Sequence, residues 1–110
     1  MYYIYMVRCK DGTIYTGMTS DPVRRMREHL ERGSACAKYT RSHPVVRLEA
    51  LWKTDTHAAA ARLEYRLKTL KREQKLALIQ KPALLGAMLS DFPDAQSYTP
   101  VPGATLEKPL

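Results

Sequence analysis

No run in this 110-residue chain approaches the ~18 consecutive apolar residues that a membrane-spanning helix needs, which sets membrane spans aside. Cysteine is nearly missing: only Cys9 and Cys36 occur, without a metal-type spacing. A single disulfide would be a thin framework, so two free thiols in a reducing compartment are expected. The N-terminus enters a strand-like run directly, with no basic leader and apolar h-region, and the chain reads as cytoplasmic. No internal repeat is visible, and asparagine is absent altogether. Acidic residues are also short in number, 11 against 18 Lys and Arg.

The resulting net charge of +7 is unevenly spread. Residues 1–90 carry 17 Lys and Arg against 8 Asp and Glu, whereas residues 91–110 carry Lys108 against Asp91, Asp94 and Glu107. A basic body favours a polyanionic partner through counterion release from phosphates. A basic surface that serves only solubility fits the composition equally well. The last twenty residues hold Pro93, Pro100, Pro102 and Pro109 with little periodicity. The expectation is one domain over residues 1–85 and a flexible, acidic, Pro-rich tail over residues 86–110.

Residues 2–8 (YYIYMVR) and 13–18 (TIYTGM) are rich in aromatic and β-branched types and read as two strands. The loop between them decides where Tyr5 and Tyr15 point. A two-residue Asp-Gly loop pairs Tyr5 with Met18 and puts the two tyrosines on opposite faces. A three-residue Lys10-Asp11-Gly12 loop pairs Cys9 with Thr13 and Tyr5 with Gly17, which leaves both tyrosines on one face. Gly12 then takes the left-handed position that such a bulged loop requires. The three-residue loop is predicted.

Asp21-Pro22 opens a helix with Asp21 as N-cap, and its apolar stripe is Val23, Met26 and Leu30. Gly33 ends it. Arg25 and His29, four apart, share one side of that helix. Residues 45–53 read as a third strand with Val46, Leu48, Ala50 and Trp52 on one face. A helix over about residues 57–72 follows a cap among Thr54 to Thr56, with Ala60, Leu63, Leu67 and Leu70 inward and Glu64 at the stripe edge. Residues 73–79 read as another short helix. The fold class expected is α+β, a small three-stranded antiparallel sheet flanked by helices.

This order of elements and residues resembles the GIY-YIG nuclease family, in particular its small single-domain bacterial members, over about residues 2–80. Tyr3-Ile4-Tyr5 stands at the first motif, and Tyr15-Thr16-Gly17 at the second. Arg25 falls at the helix arginine, His29 at a His or Tyr position one turn on, and Glu64 at the metal-binding glutamate. Tyr3 replaces the first glycine and Thr16 the second isoleucine. Met18 occupies a place where some repair members have lysine, and the asparagine found in many members has no counterpart.

The resemblance implies a nuclease that hydrolyses DNA phosphodiester bonds, with DNA repair or processing as its setting and RNA left open as a substrate. It implies Mg²⁺ or Mn²⁺ on Glu64, Arg25 against the phosphate, and a tyrosine that takes or orients the water's proton. Tyr15 is the choice for base and Tyr5 for positioner. His29 is the choice for proton relay or phosphate contact. Lys38, Tyr39 and Arg41, with Arg47, are candidates to line the phosphate path, and Gly12 and Gly17 are turn or packing glycines. Each assignment has a plainer counterpart. Glu64 can pair with Lys68 at i, i+4, Arg25 can pair with Glu28, and His29 can be a half-buried helix residue. Arg62, Arg66, Lys71, Arg72 and Lys75 can be a solvated helix face. A non-catalytic nucleic-acid-binding module that keeps the fold is the alternative function.

Overall fold

The computed structural model describes residues 1–31, 42–89 and 97–101. Strand β1 (Tyr2–Cys9) and strand β2 (Ile14–Thr19) form the first hairpin. Helix α1 (Pro22–Glu31) follows, then strand β3 (Val45–Thr54), helix α2 (His57–Lys68) and helix α3 (Arg72–Gln80). A 3-10 turn (Pro82–Leu84), the short helix α4 (Leu85–Met88) and strand β4 (Thr99–Pro100) complete the described elements. The fold is α+β, with a four-stranded sheet in the order β2-β1-β3-β4, antiparallel throughout.

The expectation of three strands is corrected by β4. Residues 99–100 pair with Trp52 and Lys53 of β3. The described residues beyond 85 also differ from a loose tail: Leu89 and Tyr98 are buried, and the Tyr98 hydroxyl donates to the Ala59 carbonyl at 2.6 Å. The reason is apolar demand. The helix-covered face of the sheet has room that these side chains fill.

The hairpin adopts the three-residue loop. Tyr5 pairs with Gly17 and Val7 with Tyr15, and the Cys9 amide donates to the Thr13 carbonyl at 2.8 Å. Gly12 sits at φ +87°, a conformation that costs other residues a steric penalty. Asp11 fastens the loop by accepting from the Thr13 amide and hydroxyl.

Two cores lie on opposite faces of the sheet. On one, Ile4, Met6, Ala50 and Trp52 meet Ala60, Leu63 and Leu67 of α2, with Leu78, Leu85 and Tyr98. On the other, Tyr5, Val7, Leu48 and Leu51 meet Met26 and Leu30 of α1. The expected single face for Val46, Leu48, Ala50 and Trp52 is therefore corrected. Register shifts against β1 leave Glu49 and Val46 as extra residues, and each extra residue reverses the alternation. Leu48 then joins the α1 side while Ala50 and Trp52 stay on the α2 side. The bulged Glu49 receives Arg8 and Arg47, both at 2.9 Å.

The helix starts follow their capping chemistry. Asp21 Oδ1 accepts from the Arg24 amide at 3.1 Å, and Thr56 Oγ1 from the Ala59 amide at 3.1 Å. In α1 the inward face differs from the expected stripe. Val23 is 58% exposed, and His29 is fully buried beside Met26.

Candidate functional site

Tyr5 projects from the middle of β1 toward α1 and is buried. Its ring lies across the Cα of Gly17 on the neighbouring strand. A Cβ added at Gly17 would overlap the Tyr5 hydroxyl and stand 2.5 Å from Cζ. The glycine of the second motif is thus a packing requirement for the tyrosine of the first.

The Tyr5 hydroxyl bonds to His29 Nε2 at 2.8 Å, and Arg25 Nε donates to the same hydroxyl at 3.4 Å. With Arg25 donating to the oxygen, the phenol proton is directed to His29, whose Nε2 then accepts; this tautomer is assigned from the network. Burial pushes the His29 imidazole down to about 4, and Arg25 pushes the same way. Burial raises the Tyr5 phenol to about 12 against the opposing pull of Arg25. The pair is neutral at pH 7, as a buried hydrogen-bonded pair should be.

Tyr15 stands two residues along the same face, its ring centroid 6.4 Å from that of Tyr5 and 5.8 Å from that of His29. Burial raises its phenol, the Glu64 charge raises it further, and Arg25 opposes both. Because β2 is an edge strand, side chains of α2 reach round it to this group. Lys68 Nζ lies 5.7 Å from the Tyr15 ring centroid, and Glu64 Oε2 lies 3.7 Å from Lys68 Nζ.

The structure therefore brings Tyr5, Tyr15, Arg25 and His29 together, with Glu64 at their edge. It also contains the plainer pairings, Arg25 with Glu28 at 2.8 Å and Glu64 with Lys68. Arg25 keeps both neighbours, since Nη1 meets Glu28 while Nε meets Tyr5. His29 has no exposed surface in the free protein, where it bonds to the Tyr5 hydroxyl. Arg47 is engaged by Glu49. Lys38, Tyr39 and Arg41 lie outside the described residues.

Among the described residues, no three His, Cys, Asp or Glu side chains are grouped to hold a metal. A closed cage is therefore not the type of site the site residues can form. A lone carboxylate suits a hard ion that keeps most of its water shell. The Glu64 side chain is 25% exposed, and at 3.7 Å its Lys68 contact is longer than a hydrogen bond. Its oxygens are thus open to such an ion, and the donor chemistry fits Mg²⁺ or Mn²⁺. Lys68, expected only to pair with Glu64, shares the site's face, and its spacing of four from Glu64 is the signal for this.

The model of the GIY-YIG catalytic domain matches residues 1–77. The chain is similar to a UPF0213 protein of Fusobacterium nucleatum, 43% identical over 81 residues, 74% of this chain and 79% of the relative. A UPF0213 protein of Halobacterium salinarum is 45% identical, over 71% of this chain and 99% of the relative. One from Xanthomonas campestris is 37% identical over 90% of this chain and 93% of the relative. The solution NMR structure of the UPF0213 protein from Bacillus halodurans is 41% identical, covers 73% of this chain and 84% of that chain, and has a TM-score of 0.46. No helix among the described residues is long and apolar enough to cross a membrane. With a family match that spans most of its length and the motif tyrosines on one sheet face, the chain belongs to the GIY-YIG family.

Proposed function

We propose that this protein is a divalent-metal-dependent endonuclease that hydrolyses DNA phosphodiester bonds. The observation that carries the reading is the meeting of two tyrosines, an arginine and a carboxylate at one edge of the sheet. Phosphodiester hydrolysis needs charge stabilisation at the phosphate and a group that takes the proton of the attacking water. Arg25 supplies a permanent planar charge. When bound at Glu64, the divalent ion supplies Lewis-acid polarisation of the phosphate and offsets the carboxylate charge.

Tyr15 is the base in this reading. Burial and Glu64 keep it protonated in the free protein. With Glu64 neutralised, one of those two upward pushes is gone while the Arg25 pull remains. Tyr15 first gives its own proton to solvent; as the phenolate it takes the proton of the water whose oxygen attacks phosphorus, the ester P–O bond breaks, and the leaving alkoxide is protonated by solvent. Tyr5 is the positioner. Its hydroxyl is held between Arg25 and His29, so it fixes the guanidinium as well as its own ring. In this reading buried His29 acts by holding Tyr5 rather than by meeting substrate.

The test is a cleavage panel of linear, nicked and branched DNA with Mg²⁺, with Mn²⁺ and with EDTA. Wild-type protein is expected to produce cuts in either metal and none in EDTA. Glu64→Ala and Arg25→Ala should each lower the rate by about 10²–10³-fold with unchanged circular dichroism. Full activity of the Glu64 variant would remove the metal assignment. DNA binding without products in either metal would favour the non-catalytic binding module.

A further inference from the structure

Beyond the motif residues, a line of cations lies against the hairpin loop and the start of β2. Lys68, the last residue of α2, stands over Tyr15. Arg72 and Lys75, at the start of α3, line a cleft of about 110 Å³ with Thr13 and Ile14, the residues just before Tyr15. Arg72 Nη1 donates to the Gly12 carbonyl at 2.9 Å, which pins α3 against the hairpin loop. The segment from Gly12 to Tyr15 spans roughly 10 Å of extended chain.

Two features separate this line from an ordinary solvated helix face. Among the described residues, neither Arg72 nor Lys75 has a carboxylate partner, and Lys68 has only the 3.7 Å contact to Glu64. The acidic residue of the loop, Asp11, is engaged by His43 at 2.6 Å. Lys68 and Lys75 also repel each other. Burial and the Lys68 charge both disfavour the protonated form of Lys75. A half-buried lysine held near another lysine without a counterion is a cost in the free protein that a bound anion repays.

We infer that Lys68, Arg72 and Lys75 form a phosphate rail that carries one DNA strand along β2 into the Tyr15–Glu64 edge of the site. The inference rests on the nuclease reading and extends it from the chemistry to the path of the substrate. One strand of duplex DNA presents a charge about every 3.4 Å of helix axis, so three cations over this length meet two or three phosphates. The strand would leave over the hairpin loop, where Arg72 is already fixed by the Gly12 carbonyl.

The experiment is equilibrium binding of a fluorescent duplex by the full chain in EDTA, so that no cutting occurs, across a range of NaCl. Lys68→Gln with Lys75→Gln removes two rail charges and keeps most of the aliphatic length. Arg62→Gln with Arg66→Gln removes two charges from the other side of α2, where those arginines flank the exposed Tyr65. The rail pair should weaken binding by roughly tenfold at 0.1 M salt and flatten the log–log slope by about 1.8, from ~0.9 per phosphate. The Arg62/Arg66 pair should leave the slope at the wild-type value. Equal changes from both pairs, or an unchanged slope for the rail pair, would overturn the rail and leave the nuclease reading standing. Wild-type protein that neither binds nor cuts DNA would overturn both.

Discussion

The two faces of the sheet are built by different rules. On the α2 side the core is almost entirely apolar, centred on Trp52, Ile4, Met6, Leu63 and Leu67. Its large polar handles turn to backbone carbonyls: the Trp52 indole N–H donates to Pro82 at 3.2 Å and the Tyr98 hydroxyl to Ala59 at 2.6 Å. On the α1 side an equally buried core includes a phenol and an imidazole that satisfy each other. Apolar contacts of similar volume would stabilise that position at least as well, because buried polar groups return little net free energy even when paired. The difference teaches where stability yields to chemistry. The α2 face holds the sheet together, and the α1 face gives up some burial energy to keep Tyr5 and Arg25 fixed beside Tyr15.

The contrast can be broken most forcefully at Trp52. Trp52→Ala should cost about 3–5 kcal/mol in urea unfolding. At a temperature where the variant remains folded, its cleavage rate per folded molecule should match wild type. A matching loss of rate would mean that the two faces are not separable.

Gly17→Ala should have a smaller effect on stability and a larger one on activity. The new Cβ must displace the Tyr5 ring, an overpacking cost of about 1–3 kcal/mol. Cleavage should fall well beyond what the unfolded fraction accounts for, which a comparison of thermal melts with rates at 25 °C checks.

The smallest effect is in pH. His29 is depressed in the folded protein to about 4 from 6.5, so between those values the unfolded chain binds more protons. Stability contributed by neutral His29 is complete above pH 6.5 and is lost as pH falls toward 4. Tyr5, raised to about 12 from 10, gives the opposite limb, with stability lost as pH rises from 10 toward 12. His29→Gln should flatten the acid limb of a denaturation series between pH 6.5 and 4 and leave the alkaline limb in place.

The hairpin was legible in the sequence because one loop decides it. Lys10-Asp11-Gly12 carries both the length and the glycine that set the register, and with it the shared face of Tyr5 and Tyr15. Strand β3 was legible as a strand but not in its facing, since bulges at Glu49 and Val46 leave no mark in an alternating pattern. Strand β4 escaped because two residues carry no periodicity and one of them is proline. The burial of His29 escaped for a different reason. Helical periodicity counts apolar residues, and an imidazole satisfied by Tyr5 behaves as one inside the core while scoring as polar outside it.

Strand β4 has a consequence for how copies of the chain meet. An open sheet invites another molecule to add a strand at its border. Here the β3 border is covered by two residues ending in Pro100, a strand too short to template another and lacking an amide hydrogen at its end. The opposite border, β2, is longer and unpaired in the sheet, yet it is flanked by Lys68, Arg72 and Lys75. Two such borders approaching each other bring like charges together. The same cations that form the proposed rail thus repel a second protein strand at a sheet border that no other described strand covers.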